Sequence, residues 1–163
     1  MKFWAKASVR WSVILLLAAF VVDRVHKYIQ VDMIGWTGGE VIPVLPFFDY
    51  VLVWNTGISY GLLGGMAPEV LLVIMAIAMI ALAVWWWKDD SLLTRLGIAL
   101  AIGGALSNAV DRVVYTAVAD FFHFYAGTWS FYIFNIADIA ISLGVALLIF
   151  DVFWPRKTKT NPS

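Results

Sequence analysis

Apolar residues along the chain gather into four long runs separated by polar or turn-forming stretches, and these runs predict helices. They extend over roughly Val9 to Ile29, Glu69 to Trp87, Leu92 to Tyr115 and Phe131 to Trp154, near the ~20 helical residues that a hydrocarbon core requires. The first run has the shortest uncharged part. Continued as a helix, it places Asp23, Arg24, His26 and Lys27 on one arc, opposite Val21, Val22, Val25 and Ile29. The charged arc can then face a bundle while the other arc faces lipid. Between the first two runs, Phe47 to Trp54 (FFDYVLVW) is aromatic and β-branched, as a strand is, and Asn55-Thr56-Gly57 supplies a turn before Ile58 to Leu63. Gly35, Gly38, Gly39, Gly61, Gly64 and Gly65 punctuate its flanks, and Pro68 with Glu69 marks a helix start. The expected fold is an all-α membrane protein, with four transmembrane helices and a small extracytoplasmic β-element between helices one and two. Residues 1–155 read as a single domain and 156–163 as a short polar tail.

Composition supports the membrane assignment. Of 163 residues, 63% are hydrophobic and only 13% charged, well above the apolar share of a soluble domain. Lysine plus arginine equals aspartate plus glutamate, 11 each, so net charge points to no nucleic-acid partner. The chain has no cysteine, which excludes disulfides, a thiol nucleophile and thiolate metal sites. The N-terminus imitates a secretory signal peptide, but Asp23-Arg24-Val25-His26-Lys27 follows where a small-residue cleavage site would stand, so it reads as an uncleaved first span. Lys2, Lys6 and Arg10 precede span one, Lys88 and Arg95 join spans two and three, and Arg156, Lys157 and Lys159 follow span four. The segments from Tyr28 to Pro68 and from Val113 to Ala137 carry neither residue type. The positive-inside rule therefore places both termini in the cytoplasm and the two long loops outside. Trp4, Trp11, Trp85, Trp86, Trp87 and Trp154 fall at the cytoplasmic ends, as an interfacial belt would.

The candidate chemistry lies between Gly103 and Asp138. Gly97, Ala101, Gly104, Asn108 and Asp111 share one face of span three, with Arg112 beside them, so a stripe of small residues leads into a polar cluster. Small residues let helices approach closely. Asn135, Asp138, Ser142 and Ala146 form the matching stripe expected on span four. Asp120, a few residues past span three, is expected at a similar depth to Asp138. Two aspartates brought together cannot comfortably both ionise, so such a pair holds one proton. The ionised member can then activate water while the protonated member polarises a carbonyl. Asp111 with Arg112, and Asp23 with Lys27, also fit structural ion pairs or snorkelling anchors. Asp120 alone would read as a solvated loop carboxylate, and His26 as an interfacial side chain. His123, three residues after Asp120, is a poor metal candidate in a chain with two histidines and no cysteine. A proton-coupled transporter or channel subunit would spread ionisable groups through the membrane depth, whereas these gather at one boundary. A scaffold would explain the small-residue stripes but not the aspartates, and the G-x-G-D block of other intramembrane aspartic proteases is missing.

The motifs resemble those of bacterial signal peptidase II, the lipoprotein signal peptidase. The similar blocks are GGAxxNxxDR at Gly103 to Arg112, VxDF at Val118 to Phe121, FNxAD at Phe134 to Asp138, the D-x-x-x-K of Asp23 and Lys27, and Asn55-x-Gly57 with Gly61. The resemblance implies a membrane aspartic endopeptidase that cuts prolipoproteins just before a diacylglyceryl-modified cysteine, without metal or cofactor, and that globomycin inhibits. It implies Asp120 and Asp138 as the catalytic pair. Asn108, Arg112, Asn135, Asn55, Asp23, Lys27 and Gly104 would be supporting or substrate-binding residues. Four positions depart from the family pattern: Arg24 stands where Gln is usual, Ile58 for Ala, Ser107 for Gly and Thr116 for Gly. A glycine at 116 would free the chain to turn out of span three.

Overall fold

A computed structural model of the protein describes residues 3–57 and 67–153. The expectations for Ile58 to Leu63, Gly61, Gly64, Gly65, Trp154 and the tail 156–163 lie outside the described residues. Four long helices form: α1 (Phe3–Lys27), α2 (Pro68–Lys88), α3 (Leu92–Tyr115) and α4 (Ile136–Phe153). α1 runs directly into a π-helical turn, Tyr28–Met33. α2, α3 and α4 are each long and apolar enough to cross a membrane. The caps agree with the sequence. Pro68 opens α2 with Glu69 in its first turn, and the Ser91 side chain accepts the Thr94 N–H at the start of α3. On α1, Asp23 and Lys27 are buried while Val21, Val22 and Val25 are exposed, as is Ile29 in the π-helical turn, the arc division that helical periodicity predicts.

α3 is the central helix, packed on α1, α4 and α2. Its approach to α4 is backbone on backbone. A Cβ on Gly144 would come within 2.5 Å of the Gly97 carbonyl oxygen, and one on Gly104 would collide with the Ala137 carbonyl oxygen. These contacts rotate α4 away from the expected stripe. Ala137, Ala140, Gly144 and Asp151 form its buried set, while Ser142 and Ala146 are exposed. The close approach of glycines, and not the polar stripe, decides which face is packed. Near the end of α2 the Trp86 indole N–H donates to Ser12 Oγ at 3.0 Å, tying α2 to α1.

The β-element is larger than expected and does not belong only to the segment between α1 and α2. A four-stranded antiparallel sheet has the order β1 (Val41–Leu45), β2 (Phe48–Asn55), β3 (Val118–Ala126), β4 (Trp129–Ser130). Half of it comes from between α3 and α4. The reason is visible in β3, Val-Ala-Asp-Phe-Phe-His-Phe-Tyr-Ala. Its aromatics stack across the sheet, Phe124 against Phe48 at 4.7 Å and Phe122 against Phe48 at 6.3 Å. Leu52, Ala119 and Phe121 form the sheet's buried centre, covered by Trp36, Tyr50 and Trp54. The expected start of span four at Phe131 moves for the same reason. The Phe134 carbonyl accepts the N–H groups of Phe121 and Phe122, both at 2.9 Å, so Phe131 to Asn135 runs beside β3 and the helix begins at Ile136.

Between α3 and β3 the chain reverses at Thr116, the C-terminal cap of α3, with φ +60°. Among the described residues it is the single non-glycine residue at positive φ. A β-branched side chain there crowds its own backbone, and glycine would relieve that crowding by about 1 kcal/mol. Thr116→Gly is therefore expected to raise the midpoint of thermal unfolding in detergent by a few degrees; a lower midpoint would contradict the strain.

Candidate active site

Two strand ends and one helix start bring the polar residues together. β2 and β3 pair with Val53 opposite Asp120 and Asn55 opposite Val118, which sets Asn55 beside Asp120. Asn55 Oδ1 accepts the Gly57 N–H at 2.9 Å in a local turn, leaving Nδ2 to donate to Asp120 Oδ2 at 3.0 Å. At the start of α4, Asn135 and Asp138 exchange capping bonds. Asn135 Oδ1 accepts the Asp138 N–H at 2.9 Å, and Asp138 Oδ2 accepts the Asn135 N–H at 3.2 Å, the reciprocal arrangement of a capping box. Asn135 Nδ2 donates to Asp120 Oδ1 at 2.6 Å and to Asn108 Oδ1 at 3.2 Å. Asn108 Nδ2 donates to Asp138 Oδ1 at 2.9 Å. Asn135 thus touches both carboxylates, and Asn108 touches one carboxylate and Asn135.

Asp120 and Asp138 share the wall of one cavity of about 270 Å³ with Asn55, Asn108 and Arg112. Met75, Ala105, Val118, Ile133 and Ile141 complete the wall; Ala105 and Val118 belong to the GGAxxNxxDR and VxDF blocks, whereas Met75, Ile133 and Ile141 carry no motif, so nothing in the sequence distinguishes those three from other core positions. Arg112 is buried and donates to the Gly57 carbonyl at 2.8 Å. A second groove, about 460 Å³, opens on the Asp120 side past Asn55, Thr56, His123 and Ser130. A third, about 310 Å³, lies on the Asp138 side among Phe131, Tyr132, Phe134, Ile139 and Leu143. Asp120 is only 2% exposed. Burial and then the Asp138 charge push its carboxyl up to about 7, against hydrogen bonds from Asn55 and Asn135 that favour the ionised form.

Behind this cavity lies a buried ionic cluster. Lys27 Nζ sits 2.9 Å from Asp23 Oδ2, 2.7 Å from Asp111 Oδ2 and 2.9 Å from Asn108 Oδ1. Arg24 pairs with Asp111 Oδ1, and Ser107 Oγ donates to Asp23 Oδ2 at 2.6 Å. The Asp23–Lys27 pair is the one expected. Asp111, however, pairs with Lys27 and Arg24 and not with Arg112, because adjacent residues on a helix diverge by 100°. Two of the departures from the family pattern, Arg24 and Ser107, thus complete this cluster. Gly104 lies at the α3–α4 contact against Ala137 and outside the cavity wall. His26 packs under the sheet, its ring 4.6 Å from Phe121 and its Nε2 2.7 Å from the Tyr50 hydroxyl. His123 Nε2 lies 2.7 Å from Ser130 Oγ, with Asp49 on the other side of the ring.

The chain as a whole is similar to known proteins. Residues 15–154 fit the family described as signal peptidase (SPase) II. A lipoprotein signal peptidase from Rhodopseudomonas palustris is 43% identical over 150 residues, covering 88% of this chain and 92% of that one. One from Methylorubrum extorquens is 41% identical over 152 residues, covering 90% of this chain and 87% of its own. A solved bacterial membrane enzyme structure, obtained by the in meso method, superposes with a TM-score of 0.82 at 30% identity, covering 95% of this chain and 94% of the other.

The elevated Asp120 carboxyl has a signed consequence for stability. The group titrates near 3.8 when unfolded and near 7 when folded, so the fold is favoured while Asp120 is protonated. That contribution is complete below about pH 4 and is lost as pH rises through about 7. Asp120→Asn should flatten the decline in thermal stability between these limits; an unchanged slope in pH-dependent unfolding would show that Asp120 is not its source.

Proposed function

The chain belongs to the signal peptidase II family and is a protease that removes lipoprotein signal peptides; we propose that it does so as an aspartic endopeptidase, with Asp120 and Asp138 as the reacting pair. The observation that carries this reading is the anchoring of both carboxylates on Asn135 at the wall of one cavity. With one proton between them, the ionised carboxylate takes a proton from the attacking water and the protonated one polarises the scissile carbonyl. Asn55, Asn108 and Asn135 hold the carboxylates through their amide N–H groups. Arg112, anchored on the Gly57 carbonyl, closes the cavity against the Asn55 turn. No metal and no cofactor enters this chemistry.

The substrate in this reading is a prolipoprotein cut just before its diacylglyceryl cysteine. Its lipid stays in the bilayer, since each buried methylene contributes about 0.8 kcal/mol to membrane partition. The aromatic groove beside Asp138 gives a lateral opening toward lipid, and the groove beside Asp120 gives the peptide a path toward the sheet. α1 serves as a fourth span beside α2, α3 and α4, its charged arc turned inward. Both termini are then cytoplasmic, and the cavity lies near the outer face of a bacterial inner membrane. Residues 1–155 act as one peptidase domain and 156–163 as a cytoplasmic tail. Globomycin would compete for the same cavity.

Asp120→Asn and Asp138→Asn should each abolish cleavage of a diacylglyceryl-modified precursor peptide in detergent while leaving a folded protein. Full activity in either variant would refute the pair. A cut at any position other than the bond before the cysteine, read by mass spectrometry, would refute the proposed site of cleavage. In the active protein kcat/KM should fall as pH rises through about 7, where Asp120 gives up its proton.

A further inference from the structure

Two backbone hydrogen bonds fall immediately before the two aspartates. Asp111 Oδ2 accepts the N–H of Ala119 at 3.2 Å, one residue before Asp120. Asp23 Oδ1 accepts the N–H of Ala137 at 2.8 Å, one residue before Asp138. Both accepting carboxylates converge on one ammonium, Lys27, at 2.7 Å and 2.9 Å. We propose that Asp23, Lys27 and Asp111 form a clamp that sets the separation and aim of Asp120 and Asp138 by holding the backbone N–H of the residue before each, Asp111 positioning Asp120 and Asp23 positioning Asp138. This rests on Asp120 and Asp138 being the reacting pair.

The physical case has three parts. First, the two aspartates sit on elements of different kinds, β3 and the start of α4, so their separation depends on a body that touches both. The clamp is that body: α1 supplies Asp23 and Lys27, and α3 supplies Asp111. Second, stability alone is a poor reason for it. Asp23 and Asp111 are 0% exposed and Lys27 is 1% exposed. Burying such charges is costly, and well-packed apolar residues of equal volume often stabilise as much or more. What apolar residues cannot do is accept the Ala119 and Ala137 N–H groups. Third, Lys27 also donates to Asn108 Oδ1 at 2.9 Å. That bond fixes which way the amide is turned, so its NH₂ faces Asp138 Oδ1. The four charges of Asp23, Asp111, Lys27 and Arg24 cancel.

The experiment uses the full chain in detergent and a diacylglyceryl-modified precursor peptide, with kcat and KM measured per folded protein. Asp111→Ala and Asp23→Ala should lower kcat on the order of 10- to 100-fold, the cost of an ångström-scale misplacement, with KM nearly unchanged. Thr94→Val supplies the comparison: it removes a buried 2.5 Å hydrogen bond from Thr94 to Asp151 at the far end of the same helix pair, so it should lower thermal stability and leave kcat alone. If the clamp variants lose stability like Thr94→Val and keep its kcat, the cluster is structural and the proposal is overturned. Asp111→Asn combined with Arg24→Gln keeps an oxygen toward Ala119 and Lys27 while letting the new amide meet the glutamine. It should recover most of the kcat lost in Asp111→Ala, and it decides the matter if the alanine variants fail to fold; a double variant no faster than Asp111→Ala also overturns the clamp. Activity surviving in Asp120→Asn or Asp138→Asn would instead remove the reacting pair itself, an outcome distinct from failure of the clamp alone.

Discussion

The exchange of capping bonds between Asn135 and Asp138 fixes where α4 begins, and the polar contents of the cavity are registered against it. A helix start leaves N–H groups without partners, and here the two residues satisfy each other's backbone while their remaining atoms stay free to reach outward. Asn135 spends Nδ2 on Asp120 and Asn108. One residue therefore ends a non-helical run beside β3, opens α4 and joins carboxylates from two different elements. Shifting the helix start by a single residue would rotate Asp138 by 100° and dissolve the site.

Charge in an apolar setting imposes the second constraint. A buried carboxylate without donors would neutralise or unfold its surroundings, and the chain answers with amides around Asp120 and Asp138 and with cations around Asp23 and Asp111. The division has chemical sense. Amides hold Asp120 and Asp138 through neutral donors, whereas Asp23 and Asp111 are held by ion pairs with Lys27 and Arg24. The glycine contacts between α3 and α4 serve the same end, since only close backbones let a side chain as short as asparagine bridge from α3 to Asp138.

Much of the helical architecture was legible in the linear pattern. The apolar runs, Pro68 at the start of α2, the Asn55 turn and the inward arc of Asp23 and Lys27 all follow from local preference and a 3.6-residue period. The sheet was half legible. FFDYVLVW announced β2, but its partner β3 was read as linker. The cue was present in the run of ring side chains from Phe121 to Tyr125 and the Gly127-Thr128 turn before Trp129, which together make a hairpin. The helix start at Ile136 was hidden because Phe131 to Phe134 are as apolar as the helix that follows, and only pairing with β3 withdraws them from it. The packed face of α4 was hidden because polar residues suggested one stripe and Gly144 dictated another.

What the sequence determined by itself is the set of chemical parts and their order: apolar helices, two aspartates, three asparagines, and an acid–base pair one helical turn apart on α1. These are properties of residue type and short spacing, which any local reading captures. Only the tertiary structure decided the pairings. Asp111 belongs with Lys27 and Arg24, 84 and 87 residues away, and Ala119 and Ala137 lend their N–H groups to carboxylates on other elements. Such contacts depend on helix rotation and strand register, and those are set by backbone approach across the whole bundle, which no local pattern encodes.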